Sequence, residues 1–276
     1  MGKIELLESV EEGANDSYFC KFGGKRAFVK YYVKSPIKNT YQFLKNIDIK
    51  IHEHFREEVG PLSYRSSDMF HSHADKEVCT YDLWGQNGIE VPKILEFDDE
   101  HIVLDVIDGI SVGSVIKNEF NLGTLEKTLE VYDKTRFLGK HHSNSTYFHS
   151  DPHLDNFMVL NGSGLVIPID SSLKIRLDMD LEIVDNMINL YFAYQLLDRV
   201  SDYSSDEIKS VFDSYKQILS GEDIYFLQKN AKPARVYDVY CMAREQVAHR
   251  VKGRPKMKQT RIYGSRRSEQ LVDLIS

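Results

Sequence analysis

Short runs that alternate apolar and polar residues open the chain. Lys3 to Val10 and Ser17 to Phe22 each read as a strand, separated by the turn-forming Glu11-Glu12-Gly13-Ala14-Asn15-Asp16. Gly23-Gly24-Lys25 turns tightly into Arg26-Ala27-Phe28-Val29-Lys30-Tyr31-Tyr32, a run rich in strand formers. Three antiparallel strands are therefore expected first. Pro36 then opens a helical pattern carried by Tyr41, Leu44, Ile47, Ile51 and Phe55. A second helix is expected over Ser67 to Gly85, stopped by Asn87-Gly88. Two further strands follow, around Lys93 to Phe97 and Ile102 to Val106, and Asp108-Gly109 closes the strand-rich part.

Beyond Leu122 the period changes from two to about 3.6. Leu125, Leu129, Tyr132, Phe137 and Leu138 mark one helix ending near His141. Leu181 to Leu197 reads as a buried helix, and Ile208 to Leu219 and Val236 to Val251 as amphipathic ones. Only Phe157 to Leu160 and Leu165 to Ile169 read as strands here, around the turn Asn161-Gly162-Ser163-Gly164. The expected architecture is α+β in two lobes, an N-terminal antiparallel sheet with helices over 1–108 and a mainly helical part over 109–276. A cleft between two such lobes is a natural ligand site.

Composition narrows the class without naming the chemistry. The chain has 276 residues, 42% hydrophobic and 28% charged, enough for a sizeable core. A net charge of −7 argues against nucleic-acid binding through bulk charge. Cys20, Cys79 and Cys241 are sparse and form no CxxC pair, which favours a reducing compartment. Met1 to Glu12 carries acidic residues where a leader peptide has a basic start, and no apolar run reaches the length of a membrane span. A cytoplasmic protein is expected.

The chemistry concentrates in His149-Ser150-Asp151-Pro152-His153-Leu154-Asp155-Asn156, followed by the hairpin and then Ile169-Asp170-Ser171-Ser172. Phosphoryl transfer needs a carboxylate near the acceptor hydroxyl and hard oxygen ligands for the magnesium that bridges the phosphates. Asp151 and Asn156 put a carboxylate and an amide on one loop, and the hairpin returns Asp170 toward them. Any one of these residues alone would more often be a turn former. Their spacing around a hairpin is what carries weight.

HSDPHLDN followed by IPIDSS resembles the catalytic loop and magnesium loop of the protein-kinase superfamily, closer to its atypical members than to ordinary protein kinases. The resemblance implies a two-lobed protein-kinase-like fold that uses ATP and Mg2+. It aligns Asp151 with the catalytic base, Asn156 and Asp170 with the magnesium ligands, and His149 with a structural histidine. Lys30, in Ala27-Phe28-Val29-Lys30, aligns with the lysine that holds the ATP phosphates, and Glu77 with its helix glutamate. Gly88-Ile89-Glu90-Val91-Pro92 leads into the next strand as it does in atypical kinases. Ile102 to Gly109 resembles the strand and hinge that hold adenine, with the Asp105 carbonyl and the Ile107 amide facing the purine edge. The chain departs from ordinary kinases in three places. Gly13-Ala14-Asn15-Asp16-Ser17 has one glycine where the phosphate-covering loop has three, Ser172 replaces the glycine of the magnesium motif, and no Ala-Pro-Glu-like segment follows Asp170.

Two branches fit these residues. Asp151-Pro152-His153-Leu154-Asp155-Asn156-Phe157 resembles the loop of the bacterial lipopolysaccharide core kinases, which phosphorylate heptose or a related sugar. The Glu77-to-Pro92 pattern and compact helical part resemble the small kinase of the KEOPS tRNA-modification complex. The first implies a small-molecule or glycan acceptor, and a place in the cytoplasm or at the inner face of the membrane. The second implies an atypical protein kinase or ATPase acting with a partner. Between Arg250 and Arg267 the chain carries eight Lys or Arg residues and no acidic one, a tail suited to an anionic membrane surface, a glycan or tRNA.

Overall fold

The computed structural model describes residues 3–10, 16–32, 73–142, 147–149, 151–171, 181–231 and 265–276. The helices expected after Pro36 and over Val236 to Val251, the Gly13-Ala14-Asn15 turn, Ser172 and most of the basic tail lie outside these residues.

Strands β1 (Ile4–Val10), β2 (Asp16–Phe22) and β3 (Lys25–Tyr31) form the expected antiparallel series. Gly23 and Gly24 make the two-residue turn between β2 and β3, with φ of 57° and 80°, a conformation that only glycine adopts freely at both positions. Helix α1 (His73–Gln86) follows, and then β4 (Ile94–Phe97) and β5 (His101–Asp105) complete a five-stranded sheet of order β1-β2-β3-β5-β4. Alternation along β3 sorts its side chains between two faces. Ala27 and Val29 pack with Cys20 and Val103 on one face, while Phe28 and Tyr32 pack with Ile102, Leu104 and the α1 residues Ala74, Val78, Tyr81 and Trp84 on the other. Lys30 shares the parity of Phe28 and Tyr32, so the sheet aims it at α1.

The second half holds α2 (Val112–Asn118), α3 (Leu122–His141), α4 (Leu181–Val200), α5 (Ser205–Gln217), α6 (Gly221–Asn230) and α7 (Ser265–Ile275). Its core includes Leu129, Tyr132, Phe148, Phe192, Phe212, Tyr215 and Leu271. At about 2 kcal/mol for each fully buried large apolar side chain, this cluster is the main source of cohesion in this half. Arg136 on α3 is buried inside it, with Nε 2.7 Å from Asp185 Oδ1 and Nη2 3.1 Å from Asp223 Oδ2.

Four elements differ from the sequence reading. The hairpin β7 (Phe157–Leu160) and β8 (Val166–Pro168) is joined by β6 (Gly109–Ser111) in a three-stranded sheet of order β6-β7-β8. Helix α2 was not expected, although Ser111 caps it by accepting a bond from the Ser114 N–H. Helices α6 and α7 were also not expected, and the end of the basic stretch, from residue 265, opens α7. Among the described residues no helix is long and apolar enough to cross a membrane.

Candidate active site

Lys30, Glu77 and Asp170 meet at the face of β3 that α1 covers. Lys30 Nζ lies 2.9 Å from Glu77 Oε2 and also donates to Asp170 Oδ1. Burial alone would lower the lysine's pKa, but the carboxylates of Asp170 and Glu77 outweigh it and hold the ammonium charged well above its ordinary range. Glu77 is 1% exposed, and hydrogen bonds satisfy its buried oxygens. Oε2 accepts from Lys30 and from the Tyr32 hydroxyl, and Oε1 accepts from the Tyr81 hydroxyl at 2.6 Å. The Asp170 side chain is 38% exposed, open to solvent on one side.

Asp170 is the one described non-glycine residue with positive φ, at 56°. Aspartate tolerates this left-handed conformation better than most residues, at a cost of about 1–2 kcal/mol. Backbone bonds hold it there. Its N–H donates to the Tyr81 hydroxyl at 2.9 Å, and the preceding Ile169 N–H donates to the Asn156 carbonyl at 2.8 Å. The second bond ties the Asp170 loop to the loop that carries Asp151.

That second loop is set by side chains as well as by its 3-10 turn, Leu154–Asn156. His149 is fully buried against the rings of Trp84 and Phe157. Burial and the nearby Lys76 charge push its pKa down to about 3, so the ring is neutral at ordinary pH. Its Nδ1 accepts the Asp151 N–H at 3.3 Å, which fixes the tautomer with the proton on Nε2. Trp84 of α1 donates from Nε1 to the Tyr147 carbonyl at 2.6 Å, so the helix that carries Glu77 also braces this loop. The Asp151 side chain is 25% exposed, but protein crowds its remaining sides and burial raises its carboxyl above the usual range. Tyr191 of α4 donates to Oδ1 at 3.0 Å, and His153 Nε2 lies 3.7 Å from Oδ2.

Asn156 donates from Nδ2 to the Asp151 carbonyl at 2.9 Å, which fixes the amide plane and leaves Oδ1 as a hard oxygen donor. One carboxylate and one amide oxygen, with phosphate oxygens and water completing the shell, is a donor set that suits magnesium. No cluster of three or more His, Cys, Asp or Glu that could cage a metal occurs among the described residues.

Asp105 and Ile107 sit apart from this cluster, at the end of β5 and in the connector to β6. They line a cavity of about 320 Å³ with Glu90–Lys93, Leu160 and Asn161, and none of Lys30, Asp151, Asn156 or Asp170 borders it. Asp105 pairs with Ala27, three residues along β3 from Lys30, or about 10 Å at the strand rise. Tyr32, Lys76, Tyr81 and Tyr191 are site residues that the sequence did not single out. Tyr32 and Tyr81 carry a usable signal, since each lies at a strand or helix position sharing a face with Lys30 or Glu77.

The strand order, the β3 lysine paired to a helix glutamate and the loop-hairpin-loop unit together make this a two-lobed protein-kinase-like fold. No family model matches the chain, and no curated protein matches it. Among solved structures, the kinase domain of Mycobacterium tuberculosis PknI (a C20A mutant) is similar, at 12% identity and a TM-score of 0.46. That similarity covers 81% of this chain and 90% of the kinase domain.

Proposed function

We propose that the protein is an ATP- and magnesium-dependent phosphotransferase acting on an alcohol group, with 1–108 as the nucleotide-binding part and 109–276 as the catalytic part. The observation that carries this reading is the buried Lys30 held between Glu77 and Asp170, with Asp151 and Asn156 tied to the same loop by backbone and side-chain bonds. Lys30 is a fixed positive charge for the α- and β-phosphates, and Glu77 keeps it extended. Asn156 and Asp170 are the residues that would hold magnesium, which neutralises charge on the phosphates when bound. The adenine is assigned to the backbone of Asp105 and Ile107. Asp151 takes the proton from the acceptor hydroxyl through Oδ2, because Oδ1 is engaged by Tyr191. Positioning and charge neutralisation supply most of the acceleration.

For the acceptor we favour a sugar hydroxyl, of the kind found in a lipopolysaccharide core. Only residues 172–180 separate the Asp170 loop from α4, which leaves little chain on which a peptide substrate could dock. The basic stretch between Arg250 and Arg267 would then meet an anionic glycan or lipid. The test is magnesium-dependent ATP turnover against a panel that includes heptose-containing core oligosaccharide and a generic protein substrate. Phosphate on the sugar alone supports this reading. Turnover only with protein, or only with a partner added, replaces it with an atypical protein kinase or ATPase of the KEOPS-kinase kind. No turnover with any acceptor or with water contradicts both.

A further inference from the structure

Lys76 plays no part in the scheme above, yet it is 2% exposed in the middle of the site. It precedes Glu77 on α1 and reaches past it to the residue after Asp170. Its Nζ donates to the Ser171 carbonyl, and lies 3.0 Å from the Ser171 hydroxyl. Five residues along the same helix, the Tyr81 hydroxyl accepts the Asp170 N–H at 2.9 Å and donates to Glu77 Oε1 at 2.6 Å. Helix α1 therefore grips the backbone on both sides of Asp170, the N–H from one turn and the following residue's carbonyl from another. Between those two grips lies the φ of 56°, a conformation that persists only where its surroundings over-determine it. A buried lysine amine is a costly way to fill space, since a methionine would pack there with no strongly polar group to desolvate. What lysine adds is a directed bond to one carbonyl.

We propose that Lys76 is a positioning residue that, with Tyr81, fixes the backbone of Asp170 so that its carboxylate is aimed for the metal, coupling the metal loop to the helix that carries Glu77. The inference rests on the phosphotransferase reading and deepens it. Lys76 touches neither nucleotide nor acceptor in this scheme. Its loss should act on magnesium affinity and leave the grip of Lys30 on the phosphates alone.

The test measures binding of a fluorescent ATP analogue to the full chain at rising Mg2+ concentration, for wild type, Lys76→Met and Lys76→Arg, with thermal unfolding recorded in parallel. Lys76→Met should bind the metal-free analogue as wild type does but need roughly tenfold more Mg2+ for half-maximal tight binding, the usual cost of removing a group that orients a ligand. Lys76→Arg should recover most of that loss. If Lys76→Met does not fold, Tyr81→Phe releases the same backbone from its other side and should shift the Mg2+ midpoint in the same direction. A folded variant that melts earlier with an unmoved midpoint would make Lys76 purely structural and overturn the inference. An absence of Mg2+ dependence in the wild-type protein would instead overturn the phosphotransferase reading, and this inference with it.

Discussion

Two residues in the site have pKa values displaced in directions that can be read in solution. Burial raises the Asp151 carboxyl, and the Tyr191 hydroxyl opposes this by bonding the ionised form. Asp151 must be ionised to accept a proton, so turnover should fall on the acid side at a higher pH than an ordinary aspartate would give. Removing the donor in Tyr191→Phe should move that acid limb to still higher pH, and a limb that stays in place in the pH–rate profile would remove Asp151 from the base role. Lys76 is the opposite case. Burial pulls its pKa from 10.5 down to about 7, against the attraction of Glu77, Asp170 and Cys79 and with help from the repulsion of Lys30. Above pH 7 the unfolded chain therefore holds a proton that the folded chain has given up, so stability rises with pH through this window. An ordinary thiol is half ionised at about 9.0, and burial raises Cys20 and Cys79 above that, so the two thiols oppose the trend from about one pH unit lower. Melting temperature should climb between about pH 7 and pH 8 in the wild type, and less so in Lys76→Met. Equal slopes would place the charge elsewhere. Neither shift was legible in the sequence, because Tyr191 and Lys76 meet their partners across 40 and 95 residues of chain.

Among the elements, those with their own periodic signal were legible and those defined by their neighbours were not. The β2–β3 hairpin announces itself through Gly23-Gly24, α1 through the Asn87-Gly88 stop at its end, and α3, α4 and α5 through apolar spacing. By contrast β6 is three residues long and exists only by pairing with β7. Helix α2 is seven residues of mixed propensity, Val-Gly-Ser-Val-Ile-Lys-Asn, whose best signal is its serine cap. Helix α6 had a readable start, since Ser220 and Asp223 form a capping box. Helix α3 also sets the position of the loop that carries Asp151 at one close approach. A Cβ on Gly139 would fall 2.5 Å from the Phe148 ring, and Phe148 is fully buried one residue before His149. Gly139→Ala gains up to about 1 kcal/mol of helix propensity. Overpacking against that ring costs about 1–3 kcal/mol, so the net change should be destabilising and should disturb the loop. Thermal unfolding with a turnover assay reads both effects, and a variant more stable than wild type would show that Phe148 yields freely.

At the scale of the whole molecule, the sequence carried the division into a strand-rich and a helical part, since the period of the apolar residues changes near residue 120. It also carried the polar residues that the fold gathers into one site, Lys30, Glu77, Asp151, Asn156 and Asp170, because their order and spacing resemble a known pattern. It did not carry the ionic core of the helical half. Arg136, Asp185 and Asp223 come from α3, α4 and α6, and no local pattern distinguishes them from surface charges. Arg136→Met would leave Asp185 buried, with Lys140 Nζ 2.6 Å away as its remaining charged partner among those described. A loss of about 3 kcal/mol is expected in a denaturant titration, and a variant as stable as wild type would mean that the aspartates relax to solvent. The central claim is that Lys30, Glu77 and Asp170 form a magnesium–nucleotide site. Its most direct test is calorimetric titration of ATP into wild type and Asp170→Ala, each with Mg2+ and with a chelator. The account predicts tight binding by the wild type that weakens when Mg2+ is removed, and binding by Asp170→Ala that is weak and indifferent to Mg2+. Equal, Mg2+-dependent affinity in both proteins would contradict it.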